Sequence, residues 1–485
     1  MIRRLSGQDA SFLYTETPTV LMHTLKIQIF DSHYSIADYD VLRARLEAAL
    51  DVVPMLRQRV LSVPFNLHHP VIVDDPEFDL DSHIYRAALP APGGMRELEQ
   101  MISQIVCHRL DRFRPMWELW VITGLENDRI AVIHKIHHCL ADGAATVRYL
   151  SRVFESQAHL DSTANASSDW QPEPLPGARR LVWDALKDHF TKDIRQFPAY
   201  LATMWRTVRN VSALHREGRS PTVEWLTRPP PRTRFNHVLS AQRSFSTLQL
   251  PLADVKVLAK QLEGTVNDVL LALAAGAIRR YLLQHGELPA EPLCTAIPVS
   301  ADAPGERRER GNHTTYLPTC LWTNIPEPRE RFHAIQRATS LAKQELDVMG
   351  KETFVELMHF MPPSVSIWKT NYQQRKRKAD RPDYRPRANV IISNVSGPTQ
   401  RLSGDYGTLV DIYSMGPLVE ACGLNITVWS YAGNLNFSLM GCKKAIPDID
   451  LLAQQLRESL VELQSLTAAE ADGPDRARAA GEGAR

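Results

Sequence analysis

The residues of this chain best suited to chemistry are His137-His138-Cys139-Leu140-Ala141-Asp142-Gly143, two adjacent histidines followed at fixed distance by an aspartate and a glycine. Histidine is the side chain whose ordinary pKa lies near neutrality, so it takes a proton and returns it without extreme tuning. A loop built around such a base points to acyl transfer. A lone strand histidine is more often a satisfied core or surface residue. Ordinary residue frequencies, however, give a match to this spaced pattern in only about one chain per thousand of this length.

The elements that must position the pair are legible on either side. Arg129 to Ile136 is short, β-branched and bounded by the turn-forming Asn127-Asp128, which predicts a strand, and Ala144 to Leu150 begins a helical pattern. If the strand persists to its end, alternation puts His134, Ile136 and His138 on one face and His137 on the other. Only one of the pair is then well placed as the base.

At 485 residues the chain exceeds the size at which one core keeps growing, which predicts two domains of comparable size. Hydrophobic content of 44% and charged content of 23% are those of an ordinary globular protein, and a net charge of +1 argues against a nucleic-acid binder. The cysteines, Cys107, Cys139, Cys294, Cys320, Cys422 and Cys442, form no C-x-x-C pair, so neither zinc nor a disulfide framework is suggested and a reducing cytosol fits. The N-terminus turns polar at once, unlike a signal peptide. The longest apolar run, Val269 to Ile278, is about half of what spans a bilayer. Any membrane association is expected to be peripheral.

The chain breaks near its middle. Before the break lie predicted helices over about Ile36–Leu50 and Arg96–Leu110 and a hairpin over Trp117–His138, a mixed order typical of α/β or α+β layers. Expected boundaries are a first domain over 1–165, a Pro-rich linker with a basic amphipathic helix over 166–235, a second domain over 236–466 and a disordered tail over 467–485. In the linker Leu186, Phe190, Ile194, Phe197, Leu201, Trp205 and Val208 recur at spacings of three and four among Lys187, Lys192, Arg195, Arg206 and Arg209. Pro198 is expected to kink or divide this helix. Packing on a domain is the usual reason for such a stripe; the other is an anionic lipid surface. The second half opens with a strand over Phe245–Leu250 and a helix over Leu252–Leu262. An Ala- and Leu-rich helix follows from Asn267-Asp268 to Leu283, with strands at Leu293–Pro298, Asn389–Ile392, Leu424–Trp429 and Leu435–Met440. Two α/β halves with one histidine loop suggest a site at their interface.

Further motifs occur in a characteristic order: Leu5-Ser6-Gly7-Gln8-Asp9-Ala10-Ser11-Phe12-Leu13, Arg114-Pro115-Met116-Trp117-Glu118, Val266-Asn267-Asp268-Val269, Gly311-Asn312, and Asn389 through Ser393-Asn394-Val395-Ser396-Gly397-Pro398. With the histidine loop they resemble the bacterial wax ester synthase/diacylglycerol acyltransferase family from the N-terminus to about Leu463. The loop alone also occurs in peptide-synthetase condensation domains. Departures are Met116 for the family's leucine, a volume-conserving exchange, Ser396 for its proline, and Leu21-Met22-His23 for Pro-Met-His; they bear on substrate preference.

The resemblance implies two chloramphenicol-acetyltransferase-like domains, with the active site in a channel between them that admits long-chain acyl-CoA from one side and an alcohol from the other. It makes His138 the proton acceptor for a diacylglycerol hydroxyl, or in the alternative for a fatty alcohol. Direct transfer needs no nucleophile elbow, and the chain contains none. Asp142 is expected to fix the loop by pairing with a basic residue, Gly143 to allow close backbone approach, and His137 to support the loop or contact the channel. Asn267 is a candidate oxyanion donor or a helix cap. Arg375-Lys376-Arg377-Lys378 suits CoA phosphates, anionic lipid or a solvated loop. No cofactor or metal is expected, since acyl-CoA is a substrate. A carrier-protein-dependent transferase and a non-catalytic lipid binder are the other classes open.

Overall fold

A computed structural model describes residues 2–31, 38–141, 170–302, 311–404 and 407–482, without the side chains of 51, 52, 192 and those from 467 on. Apolar and β-branched runs form the strands of the first half: β1 (Arg3–Arg4), β2 (His23–Phe30), β3 (Gln58–Leu61), β4 (Val71–Asp74), β5 (Ile84–Ala88), β6 (Trp117–Thr123) and β7 (Ile130–His137). Helices α1 (Gly7–Thr15), α2 (Tyr39–Val52) and α3 (Met95–Ile105) accompany them, and α4 (Ala178–Asp188), α5 (Ile194–Arg216) and α6 (Pro221–Thr227) lead to the second half. There β8 (Arg243–Pro251), α7 (Leu252–Gln261), α8 (Val266–Gln284), β9 (Cys294–Ser300), β10 (Thr314–Cys320), α9 (Pro328–Met349), α10 (Thr353–Phe360) and α11 (Pro363–Arg375) precede β11 (Val390–Ser396), β12 (Ser403–Gly404), β13 (Gly407–Met415), β14 (Leu424–Tyr431), β15 (Asn434–Cys442) and α12 (Ile449–Glu482). The stretch expected to be a disordered tail thus continues α12 to residue 482.

Two six-stranded sheets carry the fold, in the orders β12-β13-β2-β7-β6-β5 and β10-β9-β11-β14-β15-β8. The expected hairpin is β6–β7, antiparallel with Trp117 opposite Ile136, and its turn uses positive φ at Gly124, Asn127 and Asp128. In the second half the expected Ala- and Leu-rich helix is α8, buried on every side from Asp268 to Ile278 except at its polar ends. It lies in one apolar core with β14, β15, α9 and α12. Among the described residues no helix is long and apolar enough to cross a membrane.

The halves are continuous in sequence but not in space. Strand β13, from the second half, pairs antiparallel with β2 and so completes the first sheet, Met415 opposite Leu25. A bulge between Leu409 and Asp411 shifts its parity. Leu409 and Ile412 thereby join the core under one face of that sheet while Tyr413 and Met415 join the core under the other. The second sheet grips the same strand: Asn436 Nδ2 donates to Ile412 O at 2.9 Å, and Gln249 Nε2 to Asp411 at 2.7 Å.

The linker helix is divided, but upstream of the expected point. A π turn, His189–Asp193, separates α4 from α5, and Pro198 lies inside α5. His189, Asp193 and Arg4 pin this region to the first half: His189 Nε2 meets Leu67 O at 2.8 Å, and Arg4 Nε meets Asp188 at 2.8 Å. The packing expectation for the apolar stripe fails along α5. Phe197 and Tyr200 touch Phe360 of α10, yet Phe197, Leu201, Trp205 and Val208 remain 46 to 64% exposed.

The second contact between the halves is a carboxyl. Glu99 of α3 accepts both the backbone N–H and the hydroxyl of Thr247 on edge strand β8, each at 2.6 Å. Burial pushes the Glu99 carboxyl up to about 7, against the pull of the two Thr247 donors. A carboxyl raised on folding favours the folded state when protonated, and this advantage is lost as pH rises from its ordinary 4.5 to about 7. Stability should fall across that window by on the order of 2 kcal/mol after allowance for solvent screening. Glu99→Gln, neutral throughout, should remove that share of the fall, which urea denaturation at successive pH values measures.

Candidate active site

Strand β7 sorts the histidines by face. Ile130, Val132 and Ile136 enter one core and Ala131 and Ile133 the other, so His137 lies on the second face, opposite His23 of β2. His23, His134 and His137 are at most 2% exposed. Burial depresses all three: His134 to about 3, His23 well below its ordinary value, and His137 downward in spite of a nearby carboxylate. These rings are neutral and closed off. His138, one residue beyond the strand, is half-buried, and its ring stacks on Phe12 with centroids 4.2 Å apart and planes within 3°.

One helix holds this loop. Asp9, Phe12 and Glu16 recur at spacings of three and four along and just past α1, so they share a face. Ser6 caps α1, accepting the Asp9 N–H at 3.0 Å and donating its hydroxyl to Asp9 Oδ2 at 2.7 Å. Asp9 Oδ1 accepts the backbone N–H and the side-chain amide of Asn312, each at 2.7 Å. The other amide hydrogen of Asn312 goes to the His138 carbonyl at 2.6 Å, so both its donors are used. Burial raises the Asp9 carboxyl, and the bonds from Asn312 and Ser6 oppose it. The His138 N–H is fixed on Met22 O at 2.8 Å. The backbone of His138 is therefore held at both ends of the residue.

Gly311 allows this junction. Its φ is +75°, and a Cβ there would sit 2.9 Å from Asp9 Oδ2. Its N–H reaches Leu140 O at 3.0 Å, and Ala141 forms a parallel bridge to it. Gln8 and Thr314 exchange two further hydrogen bonds between α1 and β10.

Glu16 serves the other histidine. His137 Nδ1 accepts the Cys139 N–H at 3.2 Å, which leaves the ring proton on Nε2, 3.6 Å from Glu16 Oε1. Glu16 Oε2 is held by Arg109 at 3.1 Å and by Arg112 Nε at 2.9 Å. Burial alone would raise the Glu16 carboxyl; the His137 ring and the Arg112 guanidinium outweigh it and hold it well below the carboxylate range. The Cys139 thiol is fully buried and pushed well above its ordinary value by burial, so it is no nucleophile.

Asp142 and Gly143 lie outside the described residues. Asn267 is not the cap of α8: Thr265 accepts the Asp268 N–H at 3.2 Å, and Asp268 Oδ2 accepts the Thr265 N–H at 2.9 Å, a reciprocal capping box. Asn267 is the second helical residue, and among the described residues no hydrogen bond joins it to the histidine loop. The basic stretch is partly answered from within: Arg377 pairs with Asp380, Lys378 lies over the Tyr372 ring and Arg385 meets Glu291.

Among the described residues, His68, His189 and Asp193 lie close enough to share an ion. His68 Nδ1, however, accepts the His69 N–H at 2.8 Å. The proton therefore sits on the nitrogen facing Asp193 and closes it to a metal, and the group is a hydrogen-bonded pin for the linker helices.

Sequence reasoning gave Asp9, Phe12 and Asn312 no role and passed over Glu16. The signal was there in the helical spacing of 9, 12 and 16, but it names a face only once the partner of that face is known.

A two-sheet fold with a histidine loop at the junction of its halves is the fold of solved condensation domains. The first condensation domain of the CDA synthetase shares the fold, with a TM-score of 0.61 at 15% identity over 96% of each chain. A wax ester synthase/diacylglycerol acyltransferase from Marinobacter aquaeolei VT8 matches with a TM-score of 0.64 at 25% identity, covering 96% of this chain and all of that one. Residues 5–270 match the wax ester synthase/diacylglycerol acyltransferase catalytic domain and residues 310–464 the C-terminal domain of the same family. Two Mycobacterium tuberculosis proteins provisionally named diacylglycerol O-acyltransferase are 35% identical over 451 residues, 92% of each chain, and 32% identical over 474, 97% of this chain and 98% of theirs. The chain belongs to the wax ester synthase/diacylglycerol acyltransferase family.

Asn312→Ala removes both the donors on Asp9 and the clamp on the His138 carbonyl. It should lower kcat for acyl transfer by about 100-fold through misplacement of the loop and lower stability by about 1–3 kcal/mol through a buried acceptor left short of donors. Steady-state kinetics beside urea denaturation separates the two effects.

Proposed function

We propose that this protein is an acyl-CoA:diacylglycerol O-acyltransferase that makes triacylglycerol, with His138 as the proton acceptor. The observation that carries the reading is the contrast among the histidines: His138 alone of the four near the end of β7 is not fully buried, and its backbone is fixed from both halves. Neutral His138 takes the proton of the acceptor hydroxyl as its oxygen attacks the thioester carbonyl; the imidazolium then protonates the departing CoA thiolate. Transfer is direct, since the thioester is already activated. Asp142 and Gly143 shape the loop, His137 supports it through Glu16, and Asn267, with Thr265 doing the capping, is the candidate oxyanion donor.

Diacylglycerol is favoured as acceptor by the provisional names of the relatives at 35% and 32% identity. The name of the Marinobacter protein keeps long-chain alcohol as the second reading. Thiol release from long-chain acyl-CoA, with a diacylglycerol and hexadecanol as parallel acceptors, should give the higher kcat/KM with diacylglycerol. A preference for hexadecanol assigns wax ester synthesis instead, and no product from either overturns the acyl-CoA reading in favour of a carrier-protein donor. His138→Ala should lower kcat by about 100- to 10,000-fold with an unchanged circular dichroism spectrum.

Both acceptors reside in lipid, and in this reading the enzyme meets them at a membrane or lipid-inclusion surface on the cytoplasmic side. Helix α5 supports this: its stripe stands exposed, and it carries Arg195, Arg206, Arg209 and Arg216 with no acidic residue. Vesicles with anionic lipid should sediment the protein in low salt and release it as salt is raised. The double substitution Leu201→Asp with Trp205→Asp should weaken binding at least tenfold; salt-insensitive binding that survives it sinks the assignment to α5.

A further inference from the structure

Two thiols that the acyl-transfer reading leaves unused face each other across the outermost strands of the second sheet. Cys294 opens β9 and Cys320 closes β10, directly opposite in antiparallel register with their Sγ atoms 3.1 Å apart. Cys294 turns both backbone groups away from β10: its N–H goes to Asn389 Oδ1 at 2.9 Å, and its carbonyl accepts the Asn389 N–H at 2.8 Å. The next rung is the hydrogen-bonded one, with Leu321 N–H on Leu293 O at 2.7 Å. The cysteines therefore occupy a non-hydrogen-bonded rung, where facing Cα atoms come closest, about 4.5 Å, and side chains meet. That approach falls within the Cα separations of roughly 4.4–6.8 Å that a disulfide spans.

The two sulfurs are unequal. Cys294 is buried, whereas Cys320 is half-buried on the edge strand. The contact between the two sulfurs holds the Cys320 thiol below its ordinary range and, with burial, pushes Cys294 up. The reachable sulfur is the one disposed to be the thiolate, which is the form that attacks.

We infer that Cys294 and Cys320 form a redox modification site, joined reversibly across β9 and β10 by a low-molecular-weight disulfide such as glutathione disulfide. The Cys320 thiolate attacks one sulfur of glutathione disulfide, forming a mixed disulfide and releasing one glutathione thiolate. Cys294, losing its proton to that thiolate, attacks Cys320 Sγ and expels the second glutathione. Two protein thiols are oxidised and one glutathione disulfide is reduced to two glutathiones. The bond would tie down the strand whose other end, at Thr314, hooks onto Gln8 and begins two residues after Asn312, so the loop's anchor would hang from a covalently fixed strand.

The test uses the full-length protein under native conditions: glutathione disulfide is added, remaining thiols are alkylated in denaturant, and the digest is mapped. The expected result is that two of the six thiols escape alkylation, in one peptide pair linking Cys294 to Cys320, with no glutathione retained and full reversal by dithiothreitol. Cys294→Ser should trap glutathione on Cys320, and Cys320→Ser should leave the remaining thiols untouched. Six alkylated thiols in the unsubstituted protein, or a link between any other pair, overturns the assignment. The unsubstituted protein alone decides the pairing, so a variant that fails to fold does not obscure it.

Discussion

A buried carboxylate is tolerable only when donors surround it, and Asp9 has recruited its donors from the far half of the chain. Asn312 supplies two hydrogen bonds to it, and Ser6 supplies the third. Because the second hydrogen of the Asn312 amide is spent on the His138 carbonyl, satisfying the aspartate and fixing the histidine loop are one act. Much else follows from it. Gly311 must lack a side chain to pass beside the carboxylate, and α1 must lie hard against the loop so that Phe12 and Glu16 arrive with it. The helix is itself pressed from behind: a Cβ on Gly7 would fall 2.1 Å from Met358 O, so α10 packs on its backbone.

The arrangement divides two histidines of similar sequence context by electrostatics. His137 is walled in beside Glu16 and two arginines, a fixed network with no opening to a substrate. His138, one residue past the end of the strand, meets an apolar ring and keeps part of its surface. One residue, at the point where the strand ends, thus separates a fully buried imidazole from a half-buried one.

How far this was visible in the sequence depends on the range of each interaction. Local patterns carried the hairpin around Gly124, helix α8 and the face of β7 on which His137 lies, because period and turn chemistry are properties of neighbouring residues. Of the two roles open to Asn267, the cap falls to its neighbours: Asn267 is a strong capping type, but the Thr265–Asp268 pair makes two reciprocal bonds. The amphipathic stripe over Phe197 to Val208 was legible as a stripe, not as an exposed one, since exposure depends on what the rest of the chain leaves uncovered. The crossing of β13 into the first sheet and the Asp9–Asn312 bond span hundreds of residues, and no local pattern reports such a pairing. Their residues could be seen in the motifs; their relation could not.

The placement of Met22 and Asn312 on either side of His138 has a consequence for how the protein comes into being. During synthesis the first half leaves the ribosome early, with the histidine pair already translated. At that stage Asp9 has no Asn312, the edge of β2 that β13 will cover is open, and the histidine loop has only one of its two backbone tethers. The frame around His138 is thus completed only once Asn312 and β13 have been made. A chain released before Asn312 would carry the histidine pair yet lack the frame that gives it a fixed position.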